Sequence, residues 1–250
     1  MTANQGEDPV TAETPLYGDE EAERASGVPL PSLRVLQAAG AIRSHKVAKE
    51  HGGYRRMWSE MDVLKASIAA ALGEHFAWNI RVVAAVMAKV HSAIWESLIE
   101  IALAGPKEGH LEAPEHRFVQ ASQHDWAVQV FDRKFVFLKV PDVMTAILPG
   151  AVWRQTDLLL GIVGKDTFHP ISWRLGSPEG RRAAEQALGE EAFRKLLQMY
   201  RLAMAAHANF LSKATINLSM QVRATWRRLH GLESHFVQEV LQLGKRKPDR

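Results

Sequence analysis

Six basic side chains and two hydroxyl-bearing side chains lie close together in the first quarter of this 250-residue chain. They are Ser32, Arg34, Arg43, Lys46, Lys49, Tyr54, Arg55 and Arg56. A guanidinium group can bind a phosphate or a guanine edge through two parallel hydrogen bonds, and an ammonium group neutralises a phosphate as a point charge. These residue types, so closely spaced, indicate a surface that binds a polyanion.

The charge of the chain is uneven along its length. Residues 1–23 contain seven acidic residues and no Lys or Arg. Residues 24–89 contain ten Lys or Arg and four acidic residues, a net charge of +6, whereas the whole chain carries only +3. Concentrated positive charge attracts nucleic acids and accelerates association with them. Charge alone leaves open the alternative of a solvated basic face.

Individual candidates also have ordinary structural interpretations. The alternative for Arg34 is a surface salt bridge, and the alternative for Tyr54 is a packing role. We expect Trp58, which follows the basic stretch, to belong to the core and not to a contact surface.

Metal binding and catalysis have little support in the sequence. The chain contains no cysteine, which excludes thiolate metal ligands and disulfides. His110, His116, His124 and Asp125 are suitable ligand types, but their spacing matches no metal motif. No nucleophile elbow, glycine-rich phosphate loop or Ser-His-Asp order is present. We therefore expect a non-enzymatic protein without a metal or another cofactor.

The first candidate residues fall in two predicted short helices. The first helix is expected over about residues 19–25 and the second over about residues 31–39. Gly27 and Gly40 are expected to end them, because glycine adopts the left-handed conformation that closes a helix. Two candidates, a serine and an arginine, then lie at the start of the second helix.

The remaining candidates fall in a predicted hairpin. Residues 43–57 are basic and contain Gly52 and Gly53, which fits two strands joined by a turn. Ser59 is a suitable N-cap for a third helix over about residues 60–72, which Gly73 is expected to end.

This arrangement resembles the N-terminal domain of the MerR family of transcriptional regulators. The resemblance covers about residues 19–87 and depends on Leu33-Arg34, Gly40-Ala41-Ile42, Gly53-Tyr54-Arg55 and the stretch 58–62. It implies a winged helix-turn-helix, which places one helix in the DNA major groove and a hairpin on the flanking backbone. The family usually carries two aromatic residues after the Leu-Arg pair, whereas this chain carries Val35 and Leu36.

The resemblance also implies partners. It implies a homodimer that reads a near-palindromic operator in double-stranded DNA, joined through a long helix. It further implies that a small-molecule effector or a protein partner acts on the C-terminal part.

A long helix is expected directly after the basic segment. Apolar residues recur there at spacings of three and four: Ile80, Val83, Met87, Val90, Ile94, Leu98 and Ile101. This pattern is typical of a coiled-coil seam and predicts one linker helix over residues 78–104. Burial against the core of the same subunit is the alternative.

The second half of the chain predicts strands followed by helices. Residues 126–131, 135–140 and 158–163 are expected to be strands. Ser177-Pro178 is a suitable helix start. A near-heptad pattern over residues 193–229 predicts one helix of roughly 40 residues.

The sequence thus predicts a mostly α fold with a small β component. It has a disordered tail over residues 1–15, a winged helix-turn-helix domain over 16–77 and a linker helix over 78–104. The next part is a C-terminal α+β effector or interaction domain over 105–243, which contains the long helix. A basic tail follows over 244–250.

The function expected from these features is DNA-binding transcription regulation by a cytoplasmic homodimer. The chain has no apolar run long enough to cross a membrane, so no membrane partner is expected. The alternative is a non-catalytic helical scaffold that retains the winged-helix module for packing or protein contact.

Overall fold

In a computed structural model of the chain, the structure describes residues 11–104, 126–139, 157–171, 175 and 177–232. These residues form a mixed α+β structure in which helix outweighs strand. The strands are β1 Pro15–Tyr17, β2 His45–Ala48, β3 Tyr54–Ser59, β4 Ala127–Phe131, β5 Phe135–Lys139, β6 Asp157–Val163, β7 Phe168–Pro170 and β8 Lys213–Asn217. The helices are α1 Asp19–Ser26, α2 Leu30–Ala38, α3 Glu60–Phe76, α4 Ile80–Lys89, α5 Ser92–Ala104, α6 Pro178–Leu188, α7 Glu190–Ala208 and α8 Leu218–Leu229.

The two short helices and the hairpin of the basic segment are confirmed. Gly27 closes α1 with φ 75°, and Gly40 follows α2 with φ 78°. The strands β2 and β3 pair antiparallel, and the turn between them contains Gly52 and Gly53 at φ 87° and 79°. β1 pairs with the other edge of β3, which gives a three-stranded sheet in the order β1-β3-β2.

The predicted end of the third helix at Gly73 is wrong. α3 begins after the expected cap Ser59, whose Oγ accepts a hydrogen bond from the Asp62 backbone N–H at 3.1 Å. It continues to Phe76 and closes at Ala77, whose φ is 53°. The helix continues because the Phe76 ring packs on the core, 4.9 Å from the ring of Trp78.

The single linker helix over residues 78–104 is also wrong. The chain forms α4 and α5 instead, with an angle of 92° between them. The indole N–H of Trp95 donates to the Met87 carbonyl at 3.1 Å across the bend. Most of the apolar positions of the predicted seam are buried in the core of the same chain, which is the alternative interpretation of the pattern.

The predicted helix of roughly 40 residues over 193–229 is likewise wrong. α7 ends at Ala208, β8 follows, and only then does α8 begin. The carboxylate of Asp132 accepts the backbone N–H groups of Leu211 and Ser212 at 2.8 and 2.9 Å. These bonds and the pairing of β8 with β4 replace helical hydrogen bonds, so the periodic pattern is interrupted.

The three predicted strands of the second half are confirmed as β4, β5 and β6. They belong to a five-stranded antiparallel sheet in the order β7-β6-β5-β4-β8. Val128 and Val136 contribute to the core shared with the N-terminal helices. Phe131 and Phe137 belong to a second cluster, against which α6 and α7 pack.

One apolar core connects the N-terminal helices with this sheet. α8 packs against α1, α3 and α5, and its Arg223 donates to the Ala102 carbonyl at 3.0 Å. Trp126 is buried and donates its indole N–H to the Leu98 carbonyl at 2.8 Å. Among the described helices, none by itself has the length and apolar character needed to span a membrane.

Several expectations fall outside the described residues. These are residues 1–10 of the predicted tail, the four candidate metal ligands between residues 110 and 125, and the basic tail over 244–250. The prediction of disorder is wrong for the end of the 1–15 tail, since β1 begins at Pro15 and the Ala12 carbonyl accepts the Met61 backbone N–H at 3.2 Å. Among the described histidines, His207 lies half-buried with its ring 4.7 Å from those of Phe131 and Phe137.

Candidate nucleic-acid interface

The outer face of α2 carries a single charge. Leu33 and Leu36 are buried and hold the helix on the core. Arg34 is exposed and is the only charged residue of the nine in this helix. Its exposed neighbours, Pro31 and Ala38, are small and uncharged. Such a face can approach a polyanion closely without acidic repulsion, with one guanidinium available for hydrogen bonds.

The two positions after Arg34, where aromatic residues are usual in the family the chain resembles, belong to the core. Leu36 is fully buried and Val35 packs on the same cluster half-buried. Ser32 is half-buried, and its backbone N–H donates to the Pro29 carbonyl at 2.8 Å. Ser32 therefore has only part of its surface available for a contact.

The hairpin divides its candidate residues between two faces. Lys46 lies directly opposite Arg56, and Ala48 lies opposite Tyr54. Cross-strand partners share a face, and alternate residues of a strand also share one. Lys46, Arg56 and Tyr54 therefore lie on one face of the hairpin, whereas Arg55 lies on the opposite face.

The pairing of Lys46 with Arg56 places two positive charges directly opposite each other. Like charges at such positions destabilise a hairpin. Neither side chain forms an ion pair with a described residue. A bound anion would remove this repulsion, so the pair favours a surface that binds an anion.

The aromatic residues of the hairpin differ in role. Tyr54 is 71% exposed, so the packing interpretation of this side chain is wrong. Trp58 is buried, as expected, and its indole N–H donates to the Asp19 carboxylate at 2.8 Å. The Arg56 guanidinium lies 5.9 Å from the centre of the Trp58 ring, which holds this cation beside the core.

Most candidate cations are exposed and unpaired within the described part of the chain. Arg34, Arg43, Lys46, Lys49 and Arg55 are all exposed, and none forms an ion pair or a side-chain hydrogen bond there. The surface salt bridge considered for Arg34 is thus not present among these residues. The charge of Arg43 does act on Glu96, whose pKa it helps to lower.

Lys65 lies in the same basic segment but has a different environment. It is buried on α3 and forms an ion pair with Glu96 of α5 at 2.6 Å. The hydrogen bond from Lys65 lowers the pKa of the Glu96 carboxyl below its ordinary value, against the opposing effect of burial. Lys65 is therefore a structural cation, and the charge available at the surface is smaller than the +6 of the segment.

Asp62 is a positioning residue that sequence reasoning did not assign to the site. Its buried carboxylate accepts the backbone N–H of Arg43 at 2.7 Å and the Ser59 hydroxyl at 2.5 Å. It therefore joins both ends of the hairpin to the start of α3. The sequence signal was the serine three residues before an acid, which is typical of a capped helix start.

A second contact fixes the end of α2. The Gln37 side-chain amide donates to the Ser44 hydroxyl at 2.7 Å. Gln37 lies on α2 and Ser44 directly precedes β2, so this bond joins the helix to the hairpin. Together with the Asp62 contacts, it makes α2 and the hairpin one structural unit.

Comparisons with models of known families, with curated proteins and with solved structures found no match for this chain. Within the described ranges, no group of three or more His, Cys, Asp or Glu residues is placed to hold a metal ion.

Proposed function

We propose that this protein is a DNA-binding transcriptional regulator that acts as a homodimer. In this proposal α2 enters the major groove, and the β2–β3 hairpin lies as a wing on the flanking phosphates. The observation that carries the proposal is the set of exposed cations on α2 and the hairpin without ion-pair partners among the described residues.

The order of the elements supports this proposal. A strand, two short helices, a two-stranded hairpin and a third helix follow each other over residues 15–76. This order agrees with the winged helix-turn-helix of the MerR type that the sequence resembles. α2 is the second short helix, which is the position of the recognition helix in such motifs.

The candidate residues have different roles in the proposed complex. Arg34 reads a base edge or holds a phosphate from the groove face of α2. Arg43, Lys46, Lys49 and Arg56 neutralise phosphates, which raises affinity with little sequence preference. Tyr54 donates its exposed hydroxyl to a phosphate. Arg55, on the opposite face of the hairpin, is expected to contribute through longer-range attraction.

Fluorescence anisotropy of the purified full chain tests the proposal. One duplex is taken from upstream of the protein's own gene and one is a scrambled duplex, each measured at two salt concentrations. We expect tighter binding to the upstream duplex and a steep loss of affinity as salt rises. Salt-sensitive binding that is equal on both duplexes indicates a non-specific DNA-binding protein or an operator elsewhere.

The scaffold alternative has one observation in its favour. Val35 and Leu36 pack on the core and leave α2 without the aromatic contacts usual in the family that it resembles. If neither duplex binds at low salt, the DNA-binding proposal fails and the scaffold becomes the better interpretation. A matched pair of variants refines the test: Lys46→Ala on the hairpin should weaken binding, whereas Lys134→Ala in the β4–β5 turn should not.

A further inference from the structure

The two edges of the five-stranded sheet differ in how they are protected. The β7 edge is three residues long and contains Pro170, and the Lys89 ammonium of α4 binds the Phe168 carbonyl at 2.8 Å. Short length, proline and a covering helix are common devices against further strand pairing. At the other edge, β8 is five residues long and pairs only with β4 among the described strands.

Hydrogen bonds at both ends of β8 fix which backbone groups point outward. The Leu218 N–H donates to the Trp126 carbonyl at 3.2 Å, and the Asp132 N–H donates to the Ser212 carbonyl at 2.9 Å. Residues 212, 214, 216 and 218 therefore direct their backbone groups to β4, because the direction alternates along an antiparallel strand. Lys213 and Thr215 direct theirs away from the sheet.

Apolar side chains are exposed next to this edge. Leu211, two residues before β8, is 98% exposed, and its neighbour Phe210 is also exposed. α7, which leads into this segment, buries only Ala203 fully. A strand edge that no other described strand pairs with, beside exposed apolar side chains, is typical of an interaction surface.

We propose that β8 pairs antiparallel with β8 of a second copy of the chain, about a two-fold axis at Ala214. This inference rests on the homodimer of the proposed function and specifies its interface. The outward groups of Lys213 then lie opposite those of Thr215 in the second copy, and four backbone hydrogen bonds form across the axis. The interface is closed and self-complementary, as in most homodimers.

Charge and size favour this register over one centred on Lys213. An axis at Lys213 would place two lysines opposite each other, whereas an axis at Ala214 separates them and brings two small side chains together. The Lys213 ammonium also lies 5.2 Å from the Phe131 ring of its own chain, away from the partner edge. The earlier expectation of a helical interface over residues 78–104 lacks such a free surface, since most of its apolar positions are buried in the chain's own core.

The absence of cysteine from the chain allows a direct test by cross-linking. In the proposed register the two Ala214 Cα atoms form a non-hydrogen-bonded pair about 4.5 Å apart, within disulfide range. Oxidised Ala214→Cys should therefore become a covalent dimer. The control Lys49→Cys, in the turn of the β2–β3 hairpin, should remain uncross-linked under the same conditions.

Sedimentation equilibrium of the full chain provides the second test. The wild type should sediment at twice 27.9 kDa. Thr215→Pro removes a backbone N–H that points away from β4, so the pairing of β8 with β4 is kept. The dissociation constant of the dimer should rise about tenfold or more, because hydrogen bonds across the interface are lost. Thr215→Val retains the N–H and should remain dimeric. Leu211→Lys, at an exposed position, should also weaken the dimer without affecting the fold.

A monomeric wild type would overturn the inference. So would a dimer that Thr215→Pro and Leu211→Lys leave intact and that Ala214→Cys fails to cross-link. The DNA measurement separates this inference from the proposed function. If the chain cross-links at position 214 but binds no duplex, the interface is supported and the DNA proposal is refuted. If the chain binds DNA specifically as a dimer joined elsewhere, the DNA proposal is supported and the β8 interface is refuted.

Discussion

The two hairpins β2–β3 and β4–β5 are similar in local structure and opposite in surroundings. Both are antiparallel, and both have turns with positive φ angles and basic residues. The strands of β4–β5 lie in the middle of a five-stranded sheet and bury Val128, Val136 and Phe137. Those of β2–β3 expose Lys46, Tyr54 and Arg55.

This difference separates residues that stabilise the fold from residues that are available to a ligand. In β4–β5 almost every side chain contacts another part of the chain, so substitution should change the free energy of unfolding. In β2–β3 the charged side chains have no ion-pair partner among the described residues, so substitution should change binding and have little effect on stability. Four predictions test this distinction.

The largest effect is expected from Phe137→Ala. Phe137 is fully buried, and its ring lies edge-on to Phe131 at 5.2 Å. Removing it should lower the free energy of unfolding by about 3–5 kcal/mol, measured by urea denaturation. The matched aromatic of the other hairpin, exposed Tyr54, should change that free energy by less than about 0.5 kcal/mol when replaced by alanine. Equal effects at the two positions would remove the distinction.

Asp62→Ala should destabilise the protein by about 1–3 kcal/mol. The substitution leaves the Arg43 N–H and the Ser59 hydroxyl without their acceptor and removes part of the helix cap. Glu74→Ala, at an exposed position of the same helix, is the control and should have little effect. If Asp62→Ala retains full stability, these contacts do not position the hairpin.

Arg34→Ala should weaken binding to the specific duplex by about 1–3 kcal/mol and relax the preference at one base step, if the guanidinium reads a base. Lys134→Ala, which removes an exposed cation from the other hairpin, is the control in the same anisotropy titration. Uniform weakening on all duplexes would assign Arg34 to a phosphate. No change would remove it from the interface.

Of the four main substitutions, Lys46→Glu is expected to have the smallest effect, and the sign of its change in stability is diagnostic. Replacing the repulsion between Lys46 and Arg56 by attraction should raise the free energy of unfolding by about 0.2–1 kcal/mol. Affinity for every duplex should fall. The slope of log affinity against log salt concentration should decrease by the amount expected for about one phosphate contact. Lys49→Glu, in the turn, should lower DNA affinity without the gain in stability. A destabilised Lys46→Glu protein would show that this pair is not repulsive.

The local elements of the basic segment followed from the sequence because short-range chemistry determines them. Gly27 and Gly40 end their helices through a backbone conformation that glycine adopts at low cost. Ser59 caps α3 through its own hydroxyl, and Gly52 and Gly53 form the hairpin turn. Each of these signals lies within a few residues of its effect.

Only the tertiary structure determined which elements the long apolar patterns form and which surface buries them. The residues spaced over 80–101 and over 193–229 were interpreted as continuous helices, yet the first pattern bends by 92° and the second contains β8. An apolar side chain is stabilised by any apolar neighbour, so spacing cannot specify which surface buries it. The Trp95 contact to Met87 and the pairing of β8 with β4 join residues that only the folded chain brings together.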